Sequence, residues 1–192
     1  MVADNLADTQ VARVERMSAE EVVRWAAEEY RARIAWASSF GAEDMVLVDM
    51  LAALGQGVRV FTLDTGRLPQ ETYDLMDRVR LRYNLAVEVY FPQAALVEAM
   101  VREKGLNLFL NSVADRQRCC HVRKVEPLGR ALQGLRAWMT GMRREQAVTR
   151  TELRKLERDE EHGGIWKVNP LADWTRDQVW EYIRRRRVPY NP

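Results

Sequence analysis

Two rhythms of apolar positions run along the chain. After Ser18, the residues Val22, Val23, Trp25, Ala26 and Tyr30 recur at helical spacing. Glu21 stands three residues past Ser18 and completes a capping box at the helix start. Short apolar runs follow at 33–37, 58–63, 86–90 and 137–141, and each predicts a strand, the first of them buried. Another short strand is expected at 165–170. Between the strands lie helical stretches: 44–54, closed by Gly55 and Gly57; a helix opened by Pro69 and running to about Tyr83; 94–104; and 123–132, interrupted near Pro127. Thr175 caps a last helix over 176–186.

Strand and helix alternate with short connections. That pattern predicts an α/β fold, a doubly wound and mostly parallel sheet with helices on both faces. Residues 1–32 read as an N-terminal helical segment packed on the core, and 33–192 as the main domain. Residues 153–164 are densely charged and end in Gly163-Gly164, which predicts an exposed, mobile excursion.

Composition narrows the class. The chain is 47% apolar and 30% charged, ordinary values for a globular protein. No apolar run approaches the roughly 20 residues of a membrane span. The opening Met1-Val2-Ala3-Asp4-Asn5 lacks a basic flank and apolar stretch, so a cytoplasmic, non-membrane protein is expected. Thirty basic and 28 acidic residues give a net charge of +2, too balanced to argue for nucleic acid. The cations gather at 116–124, 143–150 and 184–187. The first two suit a small anionic ligand; the third reads as a solvated helix face. The two cysteines, Cys119 and Cys120, are adjacent. Ring closure across one peptide bond is strained, so a disulfide scaffold is excluded. A reactive thiol, a metal site or two core residues remain.

Four segments carry candidate chemistry. Ser38-Ser39-Phe40-Gly41-Ala42-Glu43-Asp44 joins a strand to a helix, where small residues let backbone N–H groups and a helix N-terminus face a phosphate. It lacks the lysine and glycine spacing of a Walker loop, and an ordinary capped turn fits it too. Asp64-Thr65-Gly66-Arg67 sits at the carboxyl end of the next strand, where ligands bind in open α/β sheets. Arg118-Cys119-Cys120-His121-Val122-Arg123-Lys124 surrounds the thiols with cations, which favour thiolate. Lys124 follows Cys120 by four residues and shares its helix face; His121 reads as a surface histidine more readily than as a ligand. Thr140-Gly141-Met142-Arg143-Arg144-Glu145-Gln146-Ala147-Val148-Thr149-Arg150 follows the fourth strand with guanidinium groups suited to phosphate or sulfate, and a basic surface loop fits it too.

In this order, the four motifs resemble the sulfonucleotide reductases, and within them the adenylyl-sulfate (APS) reductases of bacterial assimilation. The resemblance spans roughly residues 34–192, and the Cys pair is its specific part. More broadly the chain is similar to the adenine-nucleotide hydrolases, which share the fold. The resemblance implies that Ser38, Ser39, Phe40, Gly41, Glu43 and Asp44 hold a substrate phosphate. It implies that Asp64, Thr65, Gly66 and Arg67 line a nucleotide pocket, and that Gly141, Arg143, Arg144 and Gln146 form a basic loop over it. Cys119 and Cys120 would be two of four ligands to a 4Fe–4S cluster, with Lys124 between cluster and substrate. The implied reaction is reduction of adenylyl sulfate to sulfite and AMP, through attack of a cysteine on sulfur and reduction by thioredoxin, in a homo-oligomer.

The sequence departs from that pattern. The family's second Cys pair and nucleophilic Cys are expected beyond Pro192, so either a fragment of a longer reductase or a short nucleotide-binding protein is in hand. Ala147 stands where relatives often carry Ser. The other readings are a reductase of the 3′-phosphorylated substrate (PAPS), an ATP pyrophosphatase-like ligase, whose loop would favour Ser-Gly-Gly-x-Asp-Ser, and a non-catalytic nucleotide-binding module.

Overall fold

The computed structural model describes residues 2–55 and 58–191; Gly57 and Pro192 lie outside them. Six strands form one sheet: β1 (Ile34–Ala37), β2 (Arg59–Leu63), β3 (Val87–Tyr90), β4 (Ala137–Met139), β5 (Leu156–Asp159) and β6 (Ile165–Val168). Their order is β3-β2-β1-β4-β6-β5, with every neighbouring pair parallel except β5 and β6. Successive strands run outward from β1 to β3, and β4 then returns to the other side of β1. The sheet therefore has a switch point between β1 and β4, where a crevice opens at the carboxyl ends of the strands.

Side chains alternate across the sheet as the period of two requires. Ile34 and Trp36 of β1, Val60 of β2, and Ala137 and Met139 of β4 join the large core. That core is closed by α2 (Ala19–Tyr30), α3 (Ala42–Leu54), α4 (Gln70–Tyr83) and α8 (Arg176–Arg186). Ala35, Phe61 and Trp138 face the opposite side, against Ala131 and Leu132 of α7 (Glu126–Leu132). Helices thus cover both faces. Phe61 and Trp36 are fully buried, and each large side chain so buried contributes about 1.5–3 kcal/mol.

The helix ends follow their local chemistry. Ser18 Oγ accepts from Glu21 N at 3.2 Å, and Glu21 returns the bond to Ser18 N at 2.7 Å. Thr175 and Gln178 repeat the device at α8. Gly55 closes α3 in the left-handed region at φ 62°, which favours glycine. Within the N-terminal helical segment, α1 (Val2–Glu15) precedes the capped helix and sends Val14 into the large core.

Two expectations are corrected. Residues 153–164 are not a loose excursion. Leu153 and Leu156 are buried, β5 pairs antiparallel with β6, and Lys155, 3% exposed, binds Asp173 at 2.7 Å and the Met17 carbonyl at 2.6 Å. The charges mislead because β5 is an edge strand, and edges carry charge against unwanted pairing. Nor does Pro127 break its helix. Proline offers no N–H to the carbonyl four residues back. The chain answers with a π turn at His121–Val125, in which Glu126 N donates to His121 O five residues back. The helix α6 (Val113–Cys120) therefore runs through the π turn into α7 without a break.

Candidate functional site

At the switch point lies a crevice of about 450 Å³. That is large enough for a small organic ligand, since such pockets span roughly 300–1,000 Å³. Its floor is apolar, with Phe61, Leu63, Leu128 and Trp138; its rim is polar and collects the ends of β1, β2 and β4.

The β1–α3 loop forms one wall. Phe40 adopts φ +60°, a conformation aromatic residues rarely tolerate, and its ring is 1% exposed in the large core. The buried ring anchors the turn, so Ser39 and Gly41 remain at the crevice while Phe40 does not reach it. Phe40 N donates to Ser38 Oγ at 3.2 Å. Asp44, on the first turn of α3, accepts from Ser39 N at 2.5 Å and Ser39 Oγ at 2.7 Å. Burial pushes its carboxyl up to about 6, with the Ser39 bonds opposing the shift. Here Asp44 is the partner of the loop's donors. Gly141 closes against it: a Cβ there would lie 2.5 Å from Asp44 Oδ1 and 3.2 Å from Asp44 N, so only glycine fits.

The other predicted residues divide between lining and support. Ser38, Ser39, Gly41, Glu43, Asp44, Thr65, Lys124, Gly141 and Gln146 line the crevice. Asp64 is buried beneath its turn, where it accepts from Gly66 N at 2.7 Å and from Tyr73 Oη at 2.9 Å. Arg67 leans away, onto the Leu106 carbonyl at 2.6 Å and Asn107 at 2.9 Å. Arg143 is buried as a strut between Glu43 at 2.8 Å, Glu145 at 3.2 Å and the Trp174 carbonyl at 3.1 Å. Arg144 points out of the site altogether, toward Glu15 of α1 and the Leu153 carbonyl. Neither arginine is therefore free to hold an anion, because the neighbouring carboxylates claim them first.

Lys124 and Arg150 supply the free positive charge. Both line the crevice, and among the described residues neither forms an ion pair; Arg150 donates only to the neutral Gln146, at 2.5 Å. Arg150 closes the basic motif read from the sequence, which gave it no role of its own. Arg123 belongs to the cysteine motif but was likewise given no role. It is 7% exposed, donates Nη1 to the Thr65 carbonyl at 2.6 Å, and leaves its buried Nε without a partner. It ties the cysteine helix to the β2 loop.

Cys119 and Cys120 end α6. Cys119 is buried with Met100, Leu108 and Val122; Cys120 is exposed. Adjacent helical residues diverge by about 100°, so the thiols present different faces. Among the described residues no group of three metal-ligating side chains comes together. The two thiols of this chain therefore do not by themselves complete a four-thiolate cluster.

A model of the phosphoadenosine phosphosulfate reductase domain matches residues 33–192. The chain belongs to this family. Curated relatives within reach of this phosphoadenosine phosphosulfate reductase domain include the adenosine 5'-phosphosulfate reductases of Burkholderia cepacia, 51% identical over 83% of the chain, and of Allochromatium vinosum, 50% identical over 83%. The chain spans 64% and 62% of the length of those two proteins, less than two thirds. A crystal structure of phosphoadenylyl-sulfate (PAPS) reductase from Candida auris, in a phosphate complex, superposes with a TM-score of 0.81 at 30% identity, covering 96% of this chain and 87% of that one. The FMN adenylyltransferase of Candida glabrata shares the fold, with a TM-score of 0.62 at 12% identity over 95% of this chain and 57% of that one. No helix among the described residues is long and apolar enough to cross a membrane.

Proposed function

We propose that the chain is the nucleotide-binding part of a thioredoxin-dependent adenylyl-sulfate reductase of sulfate assimilation. The observation that carries this reading is the pairing, in one crevice, of an apolar floor with two uncompensated cations, Lys124 and Arg150. An apolar floor suits a nucleobase, and the cations suit the phosphate and sulfate groups. The names of the relatives that share half their residues with the chain support adenylyl sulfate as the ligand.

In the proposed reaction a thiolate attacks the sulfur of adenylyl sulfate. The S–O bond to the phosphate breaks, AMP leaves, and an S-sulfocysteine remains. A dithiol of thioredoxin then releases sulfite and becomes a disulfide. Lys124 and Arg150 would hold the departing charge, worth most in a crevice that excludes water. Cys119 and Cys120 would contribute two thiolates to a 4Fe–4S cluster, which leaves the attacking thiolate to come from another segment. A cytoplasmic location and self-association belong to the same reading.

Calorimetric titration of the chain with adenylyl sulfate and AMP tests it. Both should bind, and Lys124→Ala or Arg150→Ala should each weaken adenylyl sulfate about tenfold, the effect of one charge-assisted bond. Equal affinity for the 3′-phosphorylated nucleotide would shift the substrate to that compound. Absence of binding by both nucleotides would overturn the reading.

A further inference from the structure

The crevice floor contains one aromatic ring whose orientation is set from outside the site. Trp138 lies on β4 between Ala137 and Met139, which face the large core, so its ring faces the α7 side beside Phe61 and Leu132. It is 8% exposed and lines the crevice. The indole Nε1 donates to Asp159 Oδ2 of β5 at 2.8 Å. The same oxygen meets His162 Nδ1 at 2.9 Å. The His162 ring stands nearly edge-on to the indole, with centroids 5.7 Å apart and planes at 67°. Lys167, its cross-strand neighbour on β6, places Nζ 5.6 Å from the ring centroid. A hydrogen bond, an imidazole and an ammonium thus hold the ring, and what they leave uncovered borders the crevice.

The charged groups at this end of the crevice sit behind the ring. Asp159 and His162 pair with each other, and Lys167 reaches Glu157 at 3.4 Å. Lys124 and Arg150 are the cations that face the cavity directly. The wall built by Trp138, Phe61 and Leu128 offers planar apolar surface without a charge to satisfy, which suits a base and not a phosphate.

We propose that Trp138 is the specificity-determining wall for the nucleobase and that Asp159 is its positioning residue, acting through the indole hydrogen bond. This inference rests on the nucleotide reading above. Its consequence is that an edge strand outside the site governs how the base is received. Without Asp159 the buried indole N–H loses its acceptor, and the ring can turn to find another.

The test compares AMP with ribose 5-phosphate, which carries the phosphate without the base. Dissociation constants are measured by titration of the whole chain as wild type, Trp138→Leu, Asp159→Ala and Asp159→Asn. Base stacking on an aromatic contributes enough for a tenfold or larger change. Trp138→Leu and Asp159→Ala should each weaken AMP about tenfold and leave ribose 5-phosphate within twofold. Asp159→Asn, which keeps an oxygen acceptor for the indole, should recover AMP to within threefold of wild type. A parallel loss of both ligands, or no loss of AMP in either variant, would overturn the proposal. Wild-type protein that binds neither AMP nor adenylyl sulfate would overturn the nucleotide reading itself, which separates the two failures. Should Asp159→Ala not fold, the Trp138→Leu and Asp159→Asn pair decides: AMP weakened by the first alone supports the wall, and AMP unchanged by the first refutes it.

Discussion

The two walls of the crevice are built to different standards of completeness. On the β1–α3 side the charges are answered from within. Asp44 is held by Ser39, and Arg143 by Glu43, Glu145 and the Trp174 carbonyl. On the cysteine side Arg118 is answered by Glu103 at 2.7 Å, but the groups nearest the crevice are not. Among the described residues Lys124 forms no ion pair and the buried Arg123 Nε has no acceptor, while on the segment leading into the cysteine helix Leu106, Leu110 and Val113 are 65–71% exposed. The first wall is a finished part of the fold, and its buried pairs must be kept intact. The second wall leaves one cation and one buried N–H unanswered among the described residues.

The largest expected effect strikes the finished wall. Arg143→Ala strands Glu43 beside buried Asp44 and should cost about 3–5 kcal/mol, the usual result of breaking a buried pair. Arg123→Ala removes one backbone hydrogen bond and should cost only about 1–2 kcal/mol. Urea unfolding of the two variants measures the difference, and equal costs would break the contrast between the walls.

A second effect concerns pH. The Asp44 carboxyl is raised from 3.8 to about 6 in the folded protein. The folded state therefore binds this proton more tightly than the unfolded one. Stability from this group is present below about pH 4 and is lost as pH rises through 6, by about 3 kcal/mol at most. Asp44→Asn cannot lose a proton. Its stability relative to wild type should grow between pH 4.5 and pH 7, as read by urea midpoints at each pH. A difference that stays flat or shrinks would show that the Ser39 bonds outweigh burial.

The smallest effect sharpens the contrast within the second wall. Cys119→Ser places a hydroxyl among Met100, Leu108 and Val122 and should cost about 1–2 kcal/mol. Cys120→Ser at the surface should stay within about 0.5 kcal/mol. Iodoacetamide followed by mass spectrometry should label Cys120 well before Cys119, and equal labelling would deny that burial separates them.

Much of this was legible in the residues themselves. The alternation of apolar runs with helical stretches predicted the parallel strands, and the motif loops landed at the carboxyl ends of β1, β2 and β4. Other features depend on long-range partners. Arg144 looks like a ligand until Glu15, 129 residues away, is brought beside it. Phe40 looks like a loop residue until its positive φ sends the ring into the core. Trp138 was within reach, since strand alternation places it opposite Ala137 and Met139, but nothing local points to Asp159. The β5 segment hid behind the charges that an edge strand carries.

The π turn has a consequence for how such a chain tolerates insertion and deletion. It holds one residue more than an α-helical turn of the same helix. Deleting a single residue within His121–Val125 would turn the Glu126-to-His121 bond from five residues back to four, restoring α geometry while Cys119 and Cys120 keep about their present bearing relative to α7. The same deletion one turn earlier, within α6, would rotate what precedes it by about 100°, so the π turn is the place where this helix can lose a residue and keep the faces of both sulfurs.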